Sequence, residues 1–125
     1  MRQVGIRMKV SILGFCLLAQ AALAGDCDRI YTGLYYRGAE VNSFHPCHSE
    51  STYWVSASSW VLNPVKSYLQ RYTIMPYQPI YLEFRGHLLD EVVDGFAADY
   101  DGLIRISEIY HLGVAIPPDC KLRQQ

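Results

Sequence analysis

Two histidines flank a cysteine in the segment His45-Pro46-Cys47-His48, the part of the sequence most typical of metal binding. Imidazole and thiolate groups are ligands that suit copper or zinc. A tight site needs three or four converging ligands, and a Cys47 engaged in a disulfide would supply no thiolate. His45 and His48 are therefore candidate copper ligands, and a solvated loop is the alternative interpretation.

Other reactive residues form no recognisable catalytic pattern. Asp94, Asp99 and Asp101 make an acidic stretch that lacks the closing glutamate of a calcium loop, which favours a solvated loop. The sequence has no G-x-S-x-G motif and no phosphate-binding loop. We therefore predict a protein that is not an enzyme and needs no cofactor.

Tyrosine is abundant, with ten residues beside two tryptophans. Tyr and Trp favour strands and supply rigid contact area at binding surfaces. We predict that Tyr35, Tyr36, Tyr53 and Trp54 form a binding face. The alternative is that half of the aromatic residues point inward, because side chains alternate along a strand.

The amino terminus has the pattern of a secretory signal peptide. Arg2, Arg7 and Lys9 precede an apolar run, which ends in small residues at Ala24. The run is shorter than the roughly 20 residues that a membrane-spanning helix needs. We predict a signal peptide over residues 1–24, a single domain over residues 25–125 and a periplasmic or secreted location.

The charge of the predicted mature chain limits its partners. Removal of residues 1–24 leaves eight basic and twelve acidic residues, a formal charge of −4. Nucleic-acid binding depends on clustered Lys and Arg that displace counterions from phosphates. The composition therefore argues against nucleic acid as a partner.

Three cysteines remain in the predicted mature chain, namely Cys27, Cys47 and Cys120. In an oxidising compartment one pair is expected to bridge, and the sequence permits any of three pairings. A lipid anchor at Cys27 is not expected, because Asp26 stands where lipoproteins carry a small residue. We expect Cys27 to carry a free or intermolecularly paired thiol.

Alternating apolar residues predict a fold rich in strands. One long strand, bent at Gly38, is predicted from Ile30 to Phe44, and a second over 53–55 pairs back on it. Further strands are predicted over 80–89 and 103–110. Residues 92–101 are either another strand or a loop.

Asn63 and Pro64 have the pattern of a helix start, and the apolar face of that helix ends before Met75. About five strands with a bend at glycine favour closure into a barrel, because closure removes exposed sheet edges. The predicted fold is mainly β: a small five-stranded OB-like barrel with one short α-helix.

The run from Thr32 to Cys47, followed by Thr52-Tyr53-Trp54-Val55, resembles the carboxy-terminal OB-fold domain of NlpE-type copper-resistance lipoproteins. In that domain a G-x-Y/F strand leads to an F-x-x-C corner and then to an aromatic-rich strand. The segments 79–88 and 104–109 are similar as well. The resemblance covers roughly residues 30–120, which is nearly the whole predicted mature chain.

The resemblance implies a five-stranded barrel, a disulfide between Cys47 and Cys120, and a role in envelope stress or surface sensing. It does not extend to the family's amino-terminal barrel with its Cys-x-x-Cys pair, so copper handling is not carried over. We therefore expect a stand-alone, non-enzymatic OB-fold module that contacts an envelope protein or surface component. The alternatives are copper tolerance through His45 and His48, and inhibition of a lysozyme-like or proteolytic enzyme through exposed loops.

Overall fold

The computed structural model describes residues 27–91 and 94–120, and the predicted signal peptide lies outside these ranges. Five strands, one α-helix and one short 3-10 helix occur in the described ranges. In chain order they are β1 (Arg29–Gly38), β2 (Val41–Pro46), β3 (Tyr53–Ser56), α1 (Ser59–Tyr72), β4 (Ile80–Leu89), the 3-10 helix (Gly95–Asp99) and β5 (Gly102–Gly113).

The strands close into a barrel in the order β1-β2-β3-β5-β4, with β1 paired to both β2 and β4. All neighbours are antiparallel except β3 and β5, which run parallel. The helix lies between β3 and β4 in the chain. This arrangement confirms the predicted five-stranded OB-like barrel with one helix.

The prediction of one bent strand from Ile30 to Phe44 is wrong. The chain instead reverses at Ala39 and Glu40, so that Gly38 pairs with Val41 and Gly33 pairs with Pro46. Residues 94–101, left open between strand and loop, contain the 3-10 helix. Apolar and polar residues alternate with the same period in β1 and in β2. The alternation therefore does not reveal that the chain reverses between the two strands.

The helix begins earlier than predicted. Ser58 is its N-cap, and its hydroxyl oxygen accepts a hydrogen bond from the Val61 N–H at 3.4 Å. Pro64 therefore lies inside α1, although proline lacks the N–H that the helical hydrogen bond requires. Burial of Leu62 and Val65 against the barrel stabilises the additional turn that precedes the proline.

The barrel interior is built around aromatic rings. The ring centroids of Phe44 and Phe84 are 4.8 Å apart, and Tyr31 stacks on Phe84 at 5.6 Å. Gly33 lies on β1, which pairs on one side with β2, the strand of Phe44, and on the other with β4, the strand of Phe84. A Cβ atom there would lie 2.7 Å from Phe44 Cζ and 2.2 Å from the His45 carbonyl oxygen, so only glycine fits.

A disulfide joins Cys47, just after β2, to Cys120 in the tail. The two residues are 73 positions apart in the chain, and their Cα atoms are 4.7 Å apart. Closing such a loop stabilises a fold by about 4 kcal/mol in chain-entropy models. The pairing implied by the family resemblance is confirmed. Cys27 is disulfide-bonded as well in the full-length chain, whereas the expected free or intermolecularly paired thiol concerned the processed chain without residues 1–24.

Replacement of Gly33 by alanine is expected to lower the free energy of unfolding by about 3 kcal/mol, because the new Cβ collides with backbone and with the Phe44 ring. Urea unfolding of the purified protein measures the change. Gly102→Ala is the matched control, since its Cβ would meet the Tyr53 ring at 3.6 Å, an ordinary contact. Equal effects of the two substitutions would contradict this account of Gly33.

Candidate functional site

One row of side chains crosses the outside of the barrel on neighbouring strands. Tyr36 on β1 pairs with Ser43 on β2, Ser43 pairs with Trp54 on β3, and Trp54 pairs with Leu103 on β5. Side chains of paired residues lie on the same side of a sheet. The row therefore places two large aromatic residues on the same side of the sheet, one on each side of β2.

The neighbouring row faces the interior. Tyr35 pairs with Phe44, and Phe44 pairs with Tyr53. Tyr35 is fully buried, and Tyr53 is partly buried and packs against the core. The prediction that all four residues share one face is thus corrected: Tyr36 and Trp54 face outward, while Tyr35 and Tyr53 belong to the inner row.

Two further rings extend the outward row. The His45 ring lies 4.6 Å from that of Tyr36, and the Tyr100 ring lies 5.5 Å from that of Trp54. Ser43 is 2% exposed and has its Oγ atom 3.4 Å from His45 Nε2. We call these five residues, Tyr36, Ser43, His45, Trp54 and Tyr100, the outer aromatic face.

The sequence offered one signal for the additional members. His45 is two positions from Ser43 on the same strand, so alternation along β2 places both on one side. Tyr100 has no such signal, because it follows the 3-10 helix outside any strand. Its position is set by the hydrogen bonds between Asp101 and Thr52.

Hydrogen bonds hold the connection between β4 and β5 beside the outer aromatic face. The Asp101 Oδ2 atom accepts a hydrogen bond from the Thr52 N–H at 2.7 Å, and the Asp101 N–H donates to the Thr52 carbonyl at 2.8 Å. An open depression of about 410 Å³ adjoins Trp54, with Asp94 and Ala97 among its lining residues. The acidic stretch therefore forms the border of the face.

The face is uncharged near neutral pH. Burial lowers the pKa of His45 and raises the pKa of Tyr36, so both rings favour their neutral forms. Neutral rings with hydrogen-bonding edges suit a protein or carbohydrate surface better than a phosphate.

The candidate metal ligands do not converge. His45 lies on β2, whereas His48 is exposed in the following turn with a φ of 63°, and Cys47 between them is in the disulfide. Within 27–91 and 94–120, no group of three or more His, Cys, Asp or Glu side chains is arranged to hold a metal ion. The geometry therefore gives no support to a copper site at His45 and His48.

No model of a protein family matches the chain, and neither does any curated protein or solved structure. Across the described ranges, no helix has the length and apolar character required to span a membrane.

The lowered pKa of His45 predicts a loss of stability in acid. Below the ordinary value of 6.5 the unfolded chain binds the proton more readily than the folded chain, so the free energy of unfolding falls until pH passes below the folded pKa. Urea titrations of the wild type and His45→Gln from about pH 8 to about pH 5 measure this. The wild type should lose more stability than the variant, and parallel curves would contradict the prediction.

Proposed function

We propose that this chain is an exported, non-enzymatic OB-fold module that binds a protein or surface component of the bacterial envelope through the outer aromatic face. One observation carries the proposal: Tyr36 and Trp54 flank Ser43 on the two sides of β2, on the outer side of the barrel. OB-folds bind their ligands on the face of strands 2 and 3 and the adjoining loops. Tyrosine and tryptophan are enriched among residues that dominate binding energy.

The charge around the face supports a partner other than nucleic acid. Asp94, Asp99 and Asp101 are exposed in the connection that borders it, and His45 favours its neutral form. A polyanion would be repelled by these carboxylates and would find no cluster of cations on the face itself. An uncharged or cationic surface is the better match.

Export is supported by two independent features. The first 24 residues have the pattern of a signal peptide, and the Cys47–Cys120 disulfide is typical of proteins from oxidising compartments. The same disulfide is the pairing that the resemblance to the NlpE carboxy-terminal domain implies. Sensing of the envelope or of a surface is the role proposed on that resemblance.

Inhibition of a lysozyme-like or proteolytic enzyme would place the contact on exposed loops. The outer aromatic face lies mainly on strands, with four of its members on β1, β2 and β3. Strand-borne side chains are held more rigidly than loop-borne ones, which favours a preformed recognition surface. The outer aromatic face therefore favours the binding module over the inhibitor.

Replacement of Trp54 by serine should abolish capture of the partner. The tagged protein is expressed in its own cells and recovered with envelope extracts, and bound proteins are quantified. Loss of a central tryptophan is expected to reduce recovery of the partner at least about tenfold. Trp60→Ser is the matched control, since Trp60 is 81% exposed but lies on α1.

Equal recovery by the Trp54 and Trp60 variants would overturn the assignment of the face. A loss confined to Trp60→Ser would move the binding site to the helix.

Mass spectrometry of the unreduced protein from the producing cells tests the export proposal. We expect a chain that begins at Gly25 and a linked peptide pair containing Cys47 and Cys120. No mass corresponding to a lipid is expected on Cys27. An intact Met1, or an acylated Cys27, would contradict cleavage by the pathway proposed here.

A further inference from the structure

A second exposed surface lies at the loop between α1 and β4. Ile74 is 88% exposed and Met75 is 61% exposed, and Tyr77 follows them in the same loop. Contiguous exposed apolar residues of this size mark contacts with proteins or membranes. We call residues 74–77, together with Lys66 and Arg71 on α1, the cationic tip.

The loop is held in shape by its own hydrogen bonds. The Gln78 Oε1 atom accepts from the Ile74 N–H at 3.0 Å and from the Met75 N–H at 3.3 Å. The Gln78 N–H donates to the Met75 carbonyl at 3.3 Å. The apolar side chains are thus presented on a folded loop, which reduces the entropy lost on binding.

Tyr77 fastens this loop to the turn between β1 and β2. Its φ of 61° is unfavourable for a bulky residue, yet its hydroxyl accepts a hydrogen bond from the Ala39 N–H at 3.3 Å. Its ring covers Gly38, where a Cβ atom would lie 1.6 Å from the ring. Backbone strain that is stabilised by such contacts is characteristic of functional loops.

The charge of this region differs from that of the whole chain. Residues 51–82 contain no Asp or Glu, and Lys66 and Arg71 are their charged residues. An open depression of about 490 Å³ beneath the loop is bordered by Lys66 and by Arg37 of β1. Glu40, in the turn under Tyr77, is the acidic residue at the base of this region.

We propose that the cationic tip docks the protein peripherally on an anionic phospholipid surface. Ile74 and Met75 enter the boundary between headgroups and acyl chains, while Lys66 and Arg71 lie near the lipid phosphates. The combination of protruding apolar residues with flanking cations is complementary to such a surface. Ile74, which is 88% exposed, lies outside the depression and can enter a flat lipid boundary, whereas Met75 is among the residues that line the depression. This surface is separate from the outer aromatic face.

Sedimentation with vesicles tests the proposal, using the processed protein recovered from its own cells. Vesicles of phosphatidylcholine are compared with vesicles that contain about 30% phosphatidylglycerol, because the attraction depends on anionic lipid. Binding is expected with phosphatidylglycerol and is expected to weaken as salt is raised, since screening shortens the range of the charges. Equal binding to both vesicle types, or none to either, would overturn the proposal.

Two double variants separate the apolar contribution from the charged one. Lys66→Gln with Arg71→Gln is expected to lower partitioning about thirtyfold and to remove most of the salt dependence. Ile74→Ser with Met75→Ser should lower partitioning while the salt dependence remains. Trp60→Ser is the control and should bind like the wild type. All variants have the same amino terminus as the wild type, so any contribution from it cancels.

Unchanged partitioning of both double variants would overturn the proposal, as would an equal loss in the control. Retention by a purified envelope protein in buffer without lipid, abolished by the same double variants, would overturn it in favour of a protein partner. Thermal unfolding midpoints of the variants confirm that each is folded before its binding is compared.

Discussion

The ring of Phe44 occupies space that a side chain at Gly33 would otherwise fill, and the barrel depends on this packing. Phe44 on β2 meets Phe84 on β4 at 4.8 Å, and β1, which carries Gly33, pairs with both strands. Once Phe44 is inside, alternation puts Ser43 and His45 outside. The composition of the outer aromatic face therefore follows from the packing of the core.

A chain of hydrogen bonds extends from β3 through Tyr35 of the inner row to Arg37, at the border of the depression beside the cationic tip. The Asn42 amide donates to the Val55 carbonyl at 3.1 Å and accepts from the Tyr35 hydroxyl at 2.5 Å. Arg37 then donates to the Tyr35 hydroxyl oxygen at 3.1 Å. Burial raises the pKa of Tyr35 despite the opposing effect of Arg37, so the phenol remains the donor to Asn42. A partly buried network whose groups are paired in this way restrains its members, and it holds Arg37 at the border of the depression under the loop.

The elements that the sequence predicted well have a local cause. The alternation from Ile80 to Arg85 is sufficient to identify β4, and Thr73 caps α1 just before Met75, where the helix was expected to end. The start of α1 depends on burial of Leu62 against the barrel, which outweighs the unfavourable position of Pro64. A local helix-start signal could not reveal that contact.

The sequence could predict only part of the outer aromatic face, because strand register is not visible in a local pattern. Four aromatic residues in two adjacent pairs cannot share one side of a strand, so alternation limits the outward members to one from each pair. Which member faces outward depends on register, and register depends on the unforeseen turn at Ala39 and Glu40. Tyr100 joins the face only through the folding of a non-repetitive connection onto Thr52.

The shortness of β3 determines where the barrel opens most easily. Across the described strands, the β2–β3 ladder has only the pairs Ser43 with Trp54 and Phe44 with Tyr53, whereas β4 pairs with β5 from Tyr81 to Leu89, with register shifts after Glu83 and Arg85. A joint with so few backbone bonds requires the least free energy to open. That ladder runs beneath Trp54, so local opening of the barrel would begin at the outer aromatic face while the longer β4–β5 ladder keeps its pairing.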